Sequence, residues 1–517
     1  MKTLNASRKK ILLIRPYFEM LKHELGFLPF EPLGLETLRA LLEARGHKTK
    51  LYDCLAEHPD EIVKIADDLF RCGSLDADIL KVIKKFQPDV VMITGMFFAQ
   101  ADSFAGVARL AKKVSPQIIV VGGGNFASLH FKEILADDHN FDLIVIGDGE
   151  ETTEELMENL DNFQKVAGLA YRNKKGEIIV TPARKVKMNL DELPLPYRDF
   201  GKVYNYSKHV GYNYTDKFDL KKGLKRFLFY QGLSLPGVKQ GLAAFFNYRH
   251  KDKSKALFMP SACISTSRGC PNRCTFCAVH RFHQGIYRMR SSASVLEEID
   301  SLVKHGVKGI IIVDDNFTVS KTRTIEICQG IIKRHYRVRL LTPSGLFLPS
   351  LDKETLEYLY HAGLREIPFA VENGNQEFLQ TVIRKNLDLE RVKKIVKIAK
   401  DIGFHTTGFF IFGYPGETRA MMIKTLRFAF ESGFHLPRFY ILQPFPGTEI
   451  YEIAKQKGAL KDFDFSRLKA VAGEPRIATA DFSLADVKKI FNLAYDILRK
   501  RNYNEIKDKI PELLNWG

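Results

Sequence analysis

The sequence predicts an α/β chain with two parallel-sheet units: an N-terminal doubly wound sheet and a C-terminal barrel, open or closed, of six βα repeats. Three observations carry this. Short continuous apolar runs alternate with helical apolar spacing over roughly the first 160 residues. The same alternation resumes near Ala262 and repeats six times. Between them lies a stretch without that alternation, Pro-rich at first and then strongly basic. Buried runs joined by helices of about 10–15 residues imply parallel pairing, because each crossover returns the chain to the same end of the sheet.

In the first unit, residues 10–15 (KILLIR) read as a buried strand, and residues 34–45 (GLETLRALLEAR) as a helix that stops at Gly46. A short strand is expected at 49–52, a buried strand at 88–95 (PDVVMITG) and a helix at 99–114. Strands follow at 117–124 (QIIVVGGG) and 142–147 (DLIVIG). Ligands of such sheets bind outside the carboxyl ends of the strands. Those ends read Thr94-Gly95, Gly122-Gly123-Gly124 and Gly147-Asp148-Gly149-Glu150. Glycines there let a flat or bulky ligand approach the backbone; each pair alone is also what an ordinary turn uses.

Residues 166–200 read as a linker, Pro-rich at 190–200 (LDELPLPYRDF). Residues 201–260 hold 12 Lys/Arg and 3 Asp/Glu, a net of +9 against +17 for the whole chain, together with twelve Tyr and Phe. That mixture suits an anionic membrane surface, a phosphate-bearing lipid or a nucleic acid. A solvated basic insertion whose aromatics dock on the core has the same composition. Residues 220–246 are expected to form two short amphipathic helices broken at Pro236.

The six strands of the second unit are expected at 263–267, 309–313, 338–343, 366–371, 407–412 and 439–443. Active groups then belong at their C-terminal ends. A helix at 484–499 lies in a C-terminal helical segment, 456–517.

At 517 residues the chain is long enough for two to four domains. With 45% hydrophobic and 27% charged residues it is neither disordered nor collagenous. It has no run of about 18 apolar residues, and residues 1–10 lack the apolar core of a signal peptide. Seven cysteines, three of them close together, fit a reducing compartment and a metal site. The expected location is the cytoplasm, with peripheral contact at the inner membrane face.

The sharpest signal is residues 268–277, RGCPNRCTFC. Cys270, Cys274 and Cys277 have the spacing C-x3-C-x2-C, with Phe276 before the last. Three thiolates on one loop can hold three irons of a [4Fe–4S] cluster and leave the fourth open to a chelating ligand. Zinc would need a fourth ligand, for which His280 and His283 are the neighbours. Cys263 is expected to point into the barrel; Cys54, Cys72 and Cys328 read as buried apolar fillers.

This motif after a first barrel strand resembles the radical S-adenosylmethionine (SAM) superfamily. Val313-Asp314-Asp315-Asn316-Phe317 ends the second strand as DD-x-F does in many members. Residues 372–377 (ENGNQE) resemble the ESGSQE of the fourth strand end, with Asn373 and Asn375 in place of the serines. Residues 412–418 (FGYPGET) match GxPGET, and residues 444–448 (PFPGT) match PxPGT. The N-terminal unit resembles the cobalamin-binding domain fused ahead of the barrel in cobalamin-dependent members, through residues 32–46, 88–93, 120–123 and 147–152. The D-x-H-x-x-G loop whose histidine binds cobalt is missing. His23 lacks its context, which leaves a degenerate domain open.

The resemblance implies a fold of two parts: a Rossmann-like cobalamin-binding domain over residues 1–165 and a partial (β/α)6 TIM-type radical SAM barrel over 261–455. It implies reductive cleavage of SAM at the cluster to a 5′-deoxyadenosyl radical that attacks an unactivated carbon. Cobalamin-dependent methylation of a lipid-like or secondary-metabolite substrate follows as the expected outcome, with cyclisation or another carbon-skeleton change as the alternative. Cys270, Cys274 and Cys277 would hold the iron. Phe276 would lie near the adenine, Glu372 on the ribose or amino group of SAM, and Gly413 against the adenine; loop packing, a salt bridge and a strand-end turn are their plainer readings. Asp314 and Asp315 would accept from the SAM ammonium or from a substrate hydroxyl. Thr94, Gly95, Gly123, Gly124, Gly147, Asp148, Gly149 and Glu150 would border cobalamin. The expected partners are a small-molecule or lipid substrate, a flavodoxin or ferredoxin as electron donor, and a membrane surface. A methylthiotransferase would need a second set of cysteines ahead of the barrel, where only Cys54 and Cys72 stand. A non-catalytic iron–sulfur or zinc protein that binds nucleic acid is the remaining rival.

Overall fold

The computed structural model describes residues 8–21, 31–59, 61–67, 69–201, 260–461 and 474–515. His23, the two amphipathic helices expected at 220–246 and nearly all of the basic stretch at 201–260 lie outside the described residues. The chain divides into two compact units. The first comprises Met1–Lys185, Leu193–Cys263 and Glu298–Ile310; the second comprises Val186–Glu192, Ile264–Glu297 and Ile311–Gly517.

The first ten strands are β1 (Lys10–Arg15), β2 (Phe18–Leu21), β3 (Lys48–Asp53), β4 (Ile62–Ala66), β5 (Leu69–Cys72), β6 (Val90–Thr94), β7 (Ile119–Gly123), β8 (Leu143–Val145), β9 (Leu169–Arg172) and β10 (Ile178–Val180). Seven of them form one sheet in the order β10-β9-β8-β7-β6-β1-β3. β3, β1, β6, β7 and β8 run parallel, as the buried runs predict. Alternate residues of β1 and β6 enter two cores. Leu12, Ile14, Val91 and Ile93 pack with Ile79, Val82 and Phe104 of the helices Asp76–Phe86 and Ala101–Val114. Ile11, Leu13, Val90 and Met92 pack with Leu35 and Leu42 of the helix Leu33–Ala44. Helices on both faces explain why these strands are apolar at every position.

Two features depart from the sequence reading. β9 and β10 extend the sheet antiparallel, so residues 169–180 are part of a domain, not linker. β2, β5 and β4 form a small antiparallel sheet. Its strands are short and β4 is largely exposed, so no continuous apolar run announced it.

The Pro-rich segment is also anchored. Arg198 Nη2 donates to the Cys263 carbonyl and to Glu298 Oε1, both at 2.6 Å. Its Nε stands 3.7 Å from Glu31 Oε1, and the Cys263 N–H donates to Glu31 Oε2. All three charged side chains are almost fully buried.

The barrel strands are β11 (Ser261–Ile264), β14 (Gly309–Ile312), β15 (Arg339–Leu341), β16 (Glu366–Glu372), β17 (His405–Phe412) and β18 (Leu436–Ile441); the short strands β12 (Ser267–Arg268) and β13 (Arg288–Met289) form a separate hairpin. All six expected barrel strands are present, within a few residues. They fall into two sheets, β11-β14-β15 and β16-β17-β18. In the second sheet Ile367, Phe369 and Val371 of β16, Phe410 and Phe412 of β17, and Phe439 and Ile441 of β18 are buried. Their strand neighbours of opposite parity are more open. The C-terminal helix Leu484–Lys500 starts on a capping box, Ser483 with Asp486, and packs Tyr495 on Phe439.

Candidate functional site

The site of the second unit is built from the loop after β11. Gly269 has φ +89°, and a side chain there would collide with the Ile286 carbonyl, so the loop can turn only on glycine. The Gly269 N–H donates to Asp315 Oδ2 at 2.9 Å. Beyond it, Thr275 donates its N–H to the Ile383 carbonyl and its hydroxyl to the Val382 carbonyl, both at 3.0 Å. The loop is thereby pinned to Asp315, just after β14, and to residues 382–383, which follow β16.

Cys270, Cys274 and Cys277 all border one cavity of about 250 Å³, together with Phe276, Asp315, Asn316, Glu372 and Lys385. Asn316 Nδ2 donates to Cys270 Sγ at 2.8 Å. Burial pushes the Cys274 thiol up to about 12 and the Cys277 thiol up to about 11, and it raises Cys270 as well; the Lys385 ammonium opposes the rise at each.

The donor set suits an iron–sulfur cluster. Three soft ligands line one pocket, and among the described residues no three His, Cys, Asp or Glu side chains converge on a single-ion position. Of the two histidines that could complete a zinc site, His280 keeps a buried Nδ1 without a hydrogen-bond partner, whereas His283 is engaged elsewhere. His283 turns Nδ1 to Arg288 Nη2 at 2.9 Å and Nε2 to Asp315 Oδ2 at 3.5 Å.

Glu372 also lines the cavity. It ends β16 with φ +72°, next to a register shift between Ala370 and Glu372. A left-handed backbone at a non-glycine residue costs on the order of 1–3 kcal/mol and persists only where its surroundings impose it. Here Glu372 Oε1 accepts from Lys385 Nζ at 2.8 Å, with both side chains about nine-tenths buried. Burial works against the Lys385 charge, but the Glu372 carboxylate and the thiols outweigh it and raise the ammonium pKa. Glu372 is thus both a cavity wall and half of an ion pair.

Phe276 borders the cavity and meets Tyr414 at 5.9 Å between ring centroids. The Tyr414 hydroxyl is buried without a hydrogen-bond partner, and Tyr414 is not itself among the cavity residues. Its electrostatic neighbours include Glu372 and Cys274.

Two expectations change. Asp314 does not line the cavity. Its Oδ1 accepts from the Thr266 N–H and its Oδ2 from the Thr266 and Ser267 hydroxyls, so it ties β14 to the end of β11. Burial raises this carboxyl. Asp315, the next residue, is the one that faces the site. Gly413 has φ +91°, the Val487 side chain of the C-terminal helix stands 3.3 Å from where a Cβ would lie, and Gly413 is not among the cavity residues. Its N–H donates to Glu417 Oε2 at 2.8 Å. The departures Asn373 and Asn375 have structural roles. Asn373 Nδ2 donates to Glu417 Oε1, and Asn375 Oδ1 caps the Phe378 N–H. Gly374 admits no side chain because Thr425 of a helix stands against it.

Lys385, Asn316 and Tyr414 were not singled out in the sequence. Asn316 and Tyr414 stand inside quoted motifs, at positions beside the residues that were chosen. Lys385 carries no spacing signal at all. Cys54 and Cys328 are buried as expected, whereas Cys72 is half-buried; Cys263 is buried too.

In the first unit, parallel pairing places Thr94 beside Gly123 and brings Gly95, Gly124 and Gly147 to the same edge. They serve different ends. Gly124 (φ +96°) packs on the Gly95 carbonyl, and Gly95 makes room for Phe104 and Phe126. Gly147 (φ +82°) has open space where a side chain would lie, and Gly123 has only Val145 at a distance. The Gly147 N–H donates to Ser128 Oγ at 3.0 Å. Asp148 and Gly149 follow, with Gly149 near Thr153, and Glu150 is buried at the start of the helix Glu150–Glu158. Met96 and Phe97, which follow the end of β6, are 41% and 51% exposed. Open glycines and exposed apolar side chains at this edge fit a flat macrocycle.

Comparison with known proteins agrees with both halves. Residues 28–157 match the B12 binding domain and residues 264–429 the radical SAM superfamily. The chain is 28% identical to cytidylyl-2-hydroxyethylphosphonate methyltransferase of Streptomyces wedmorensis, over 96% of this chain and 92% of that one. It is 25% identical to the anaerobic magnesium-protoporphyrin IX monomethyl ester cyclase of Cereibacter sphaeroides, over 67% of this chain and 50% of that one. Among solved structures, the radical SAM methyltransferase TsrM of Kitasatospora setae, with cobalamin and a [4Fe–4S] cluster bound, superposes with a TM-score of 0.62 at 18% identity, over 87% of this chain and 76% of that one. A B12-binding domain followed by a radical SAM domain accounts for the three cofactors: the [4Fe–4S] cluster, SAM and cobalamin.

Proposed function

We propose that this radical SAM enzyme, whose N-terminal unit is a B12-binding domain, methylates an unactivated carbon of a small molecule. The observation that supports the reading is the cavity that Cys270, Cys274 and Cys277 share with Glu372, Lys385 and Asn316. Methyl transfer is favoured over cyclisation by coverage. The methyltransferase relative aligns over nearly its full length, the cyclase over half. When bound, the cluster and SAM supply reductive cleavage of a sulfonium bond, and cobalamin supplies methyl transfer. The chain's own part is to hold and orient. The three thiolates ligate iron and Asn316 donates to one of them. Glu372 offers an acceptor for the SAM ammonium, Tyr414 an unpaired hydroxyl, and Phe276 an aromatic wall.

The substrate is proposed to be lipid-like or a secondary metabolite, met from the inner face of a membrane, with a flavodoxin or ferredoxin as electron source. Its support is compositional: the net +9 and twelve aromatics at 201–260. Among the described residues no helix is long and apolar enough to cross a membrane, so attachment would be peripheral. Binding to anionic vesicles that weakens with salt is the expected result; no binding at low salt removes the membrane part of the reading.

The decisive experiment is anaerobic reconstitution with SAM and dithionite. The wild-type chain should form 5′-deoxyadenosine, and replacement of the three cysteines by alanine should abolish it. With extracts of a deletion strain as substrate and SAM labelled in its methyl group, label should enter a product. Product formation without label, in protein that carries no cobalamin absorbance, would instead establish ring or bond formation on a degenerate domain.

A further inference from the structure

We propose that Lys385 is a positioning residue that sets how readily the cluster accepts its electron. The inference rests on the cluster reading above and concerns a residue outside the cysteine motif.

Both members of the Lys385–Glu372 pair are delivered by unusual backbone. Leu379–Ile383 forms a single π-helical turn, and Arg384 follows it with φ +58°. The Lys385 N–H then reaches back to the Leu379 carbonyl at 2.8 Å. Such turns concentrate at functional sites because the extra residue costs stability and redirects the chain. Here the redirection carries Lys385 into the cavity. The partner, Glu372, sits at φ +72° beside a strand irregularity. Two local departures from regular structure thus meet in one buried ion pair. A plain ordered helix end and strand end would have placed neither group there.

The same π-helical turn holds the cysteine loop, since the carbonyls of Val382 and Ile383 accept from Thr275. The ammonium and the thiolates are therefore fixed to one piece of backbone, with little freedom to separate. A buried positive charge beside the cluster stabilises its reduced, more negative form, and net charge is one of the levers on cluster potential. Glu372 limits the effect and keeps the ammonium from being a lone buried charge. The step itself is simple: one electron enters the cluster from dithionite, and no bond is made or broken.

The test is an EPR-monitored redox titration of anaerobically reconstituted protein without SAM, so that changes in nucleotide binding cannot produce the shift. Lys385→Met should make reduction at least tenfold less favourable, a fall of 59 mV for a one-electron couple. Lys385→Arg should keep the wild-type potential, and Glu372→Gln should raise it. A Lys385→Met potential equal to or above wild type overturns the proposal. If that variant holds no iron, Glu372→Gln decides, and an unchanged or lower potential there overturns it. The iron and sulfide content of the wild type tests the cluster reading separately. An intact cluster with an unmoved potential defeats only the role given to Lys385.

Discussion

Asn316 points its side-chain amide at the sulfur of Cys270, 2.8 Å away. The donor comes from the loop after the second barrel strand and the acceptor from the loop after the first. Outer partners of this kind orient ligands, and their loss costs roughly 10–100-fold in metal affinity. Asn316→Asp should therefore lose iron to a chelator about tenfold faster, because a carboxylate cannot donate and repels a thiolate. Wild-type release rates would show that the hydrogen bond is incidental.

Tyr414 buries a hydroxyl with no partner, at a cost of about 1–3 kcal/mol. Tyr414→Phe should raise the midpoint of thermal unfolding of the protein without SAM. The same change should weaken SAM binding about tenfold by calorimetry. A variant with unaltered SAM affinity would mean that the hydroxyl does not meet the nucleotide.

Glu417 is fully buried, and burial lifts its carboxyl to about 7 despite hydrogen bonds from Gly413, Tyr414 and Asn373. The sign follows from the acid. Below the normal carboxylate range both states are protonated. As pH rises from that range to about 7, the unfolded chain ionises first and the fold loses stability. The full loss, on the order of 3 kcal/mol, is present above pH 7. Glu417→Gln should therefore gain on wild type between pH 5 and pH 8 in urea unfolding. A stability difference that stays flat across that interval would contradict the raised carboxyl.

Arg198 is the cation against two buried carboxylates, Glu31 and Glu298. Arg198→Met would take the cation away from both acids, and breaking a buried pair in this way costs about 3–5 kcal/mol. The midpoint of urea unfolding should fall accordingly, and Arg198→Lys should recover part of it. Equal stability for the methionine variant would show that the network carries no weight.

Some features were legible because their signal is local. Cys270, Cys274 and Cys277 announce themselves by spacing, and all three border the cavity. Continuous apolar runs located the parallel strands, since burial on both faces leaves no polar positions. Other features had no local signal. β2, β4 and β5 are short and pair antiparallel. β9 and β10 were hidden in a segment read as linker. At the end of β14 the sequence offered two adjacent aspartates, and adjacent residues at a strand end face opposite ways. Only Asp315 borders the cavity, whereas Asp314 is spent on Thr266 and Ser267.

By itself the sequence determined the order of the parallel strands, the three thiol ligands and the glycines that the turns require, because each depends on neighbours a few residues away. The tertiary structure decided which acid faces the cavity, that Lys385 stands opposite Glu372, that Asn316 reaches Cys270, and that Val487 occupies the space beside Gly413. Those pairings join residues 13 to 74 positions apart. Spacing along a chain cannot encode them, since they exist only once parallel strands bring their carboxyl ends to one rim.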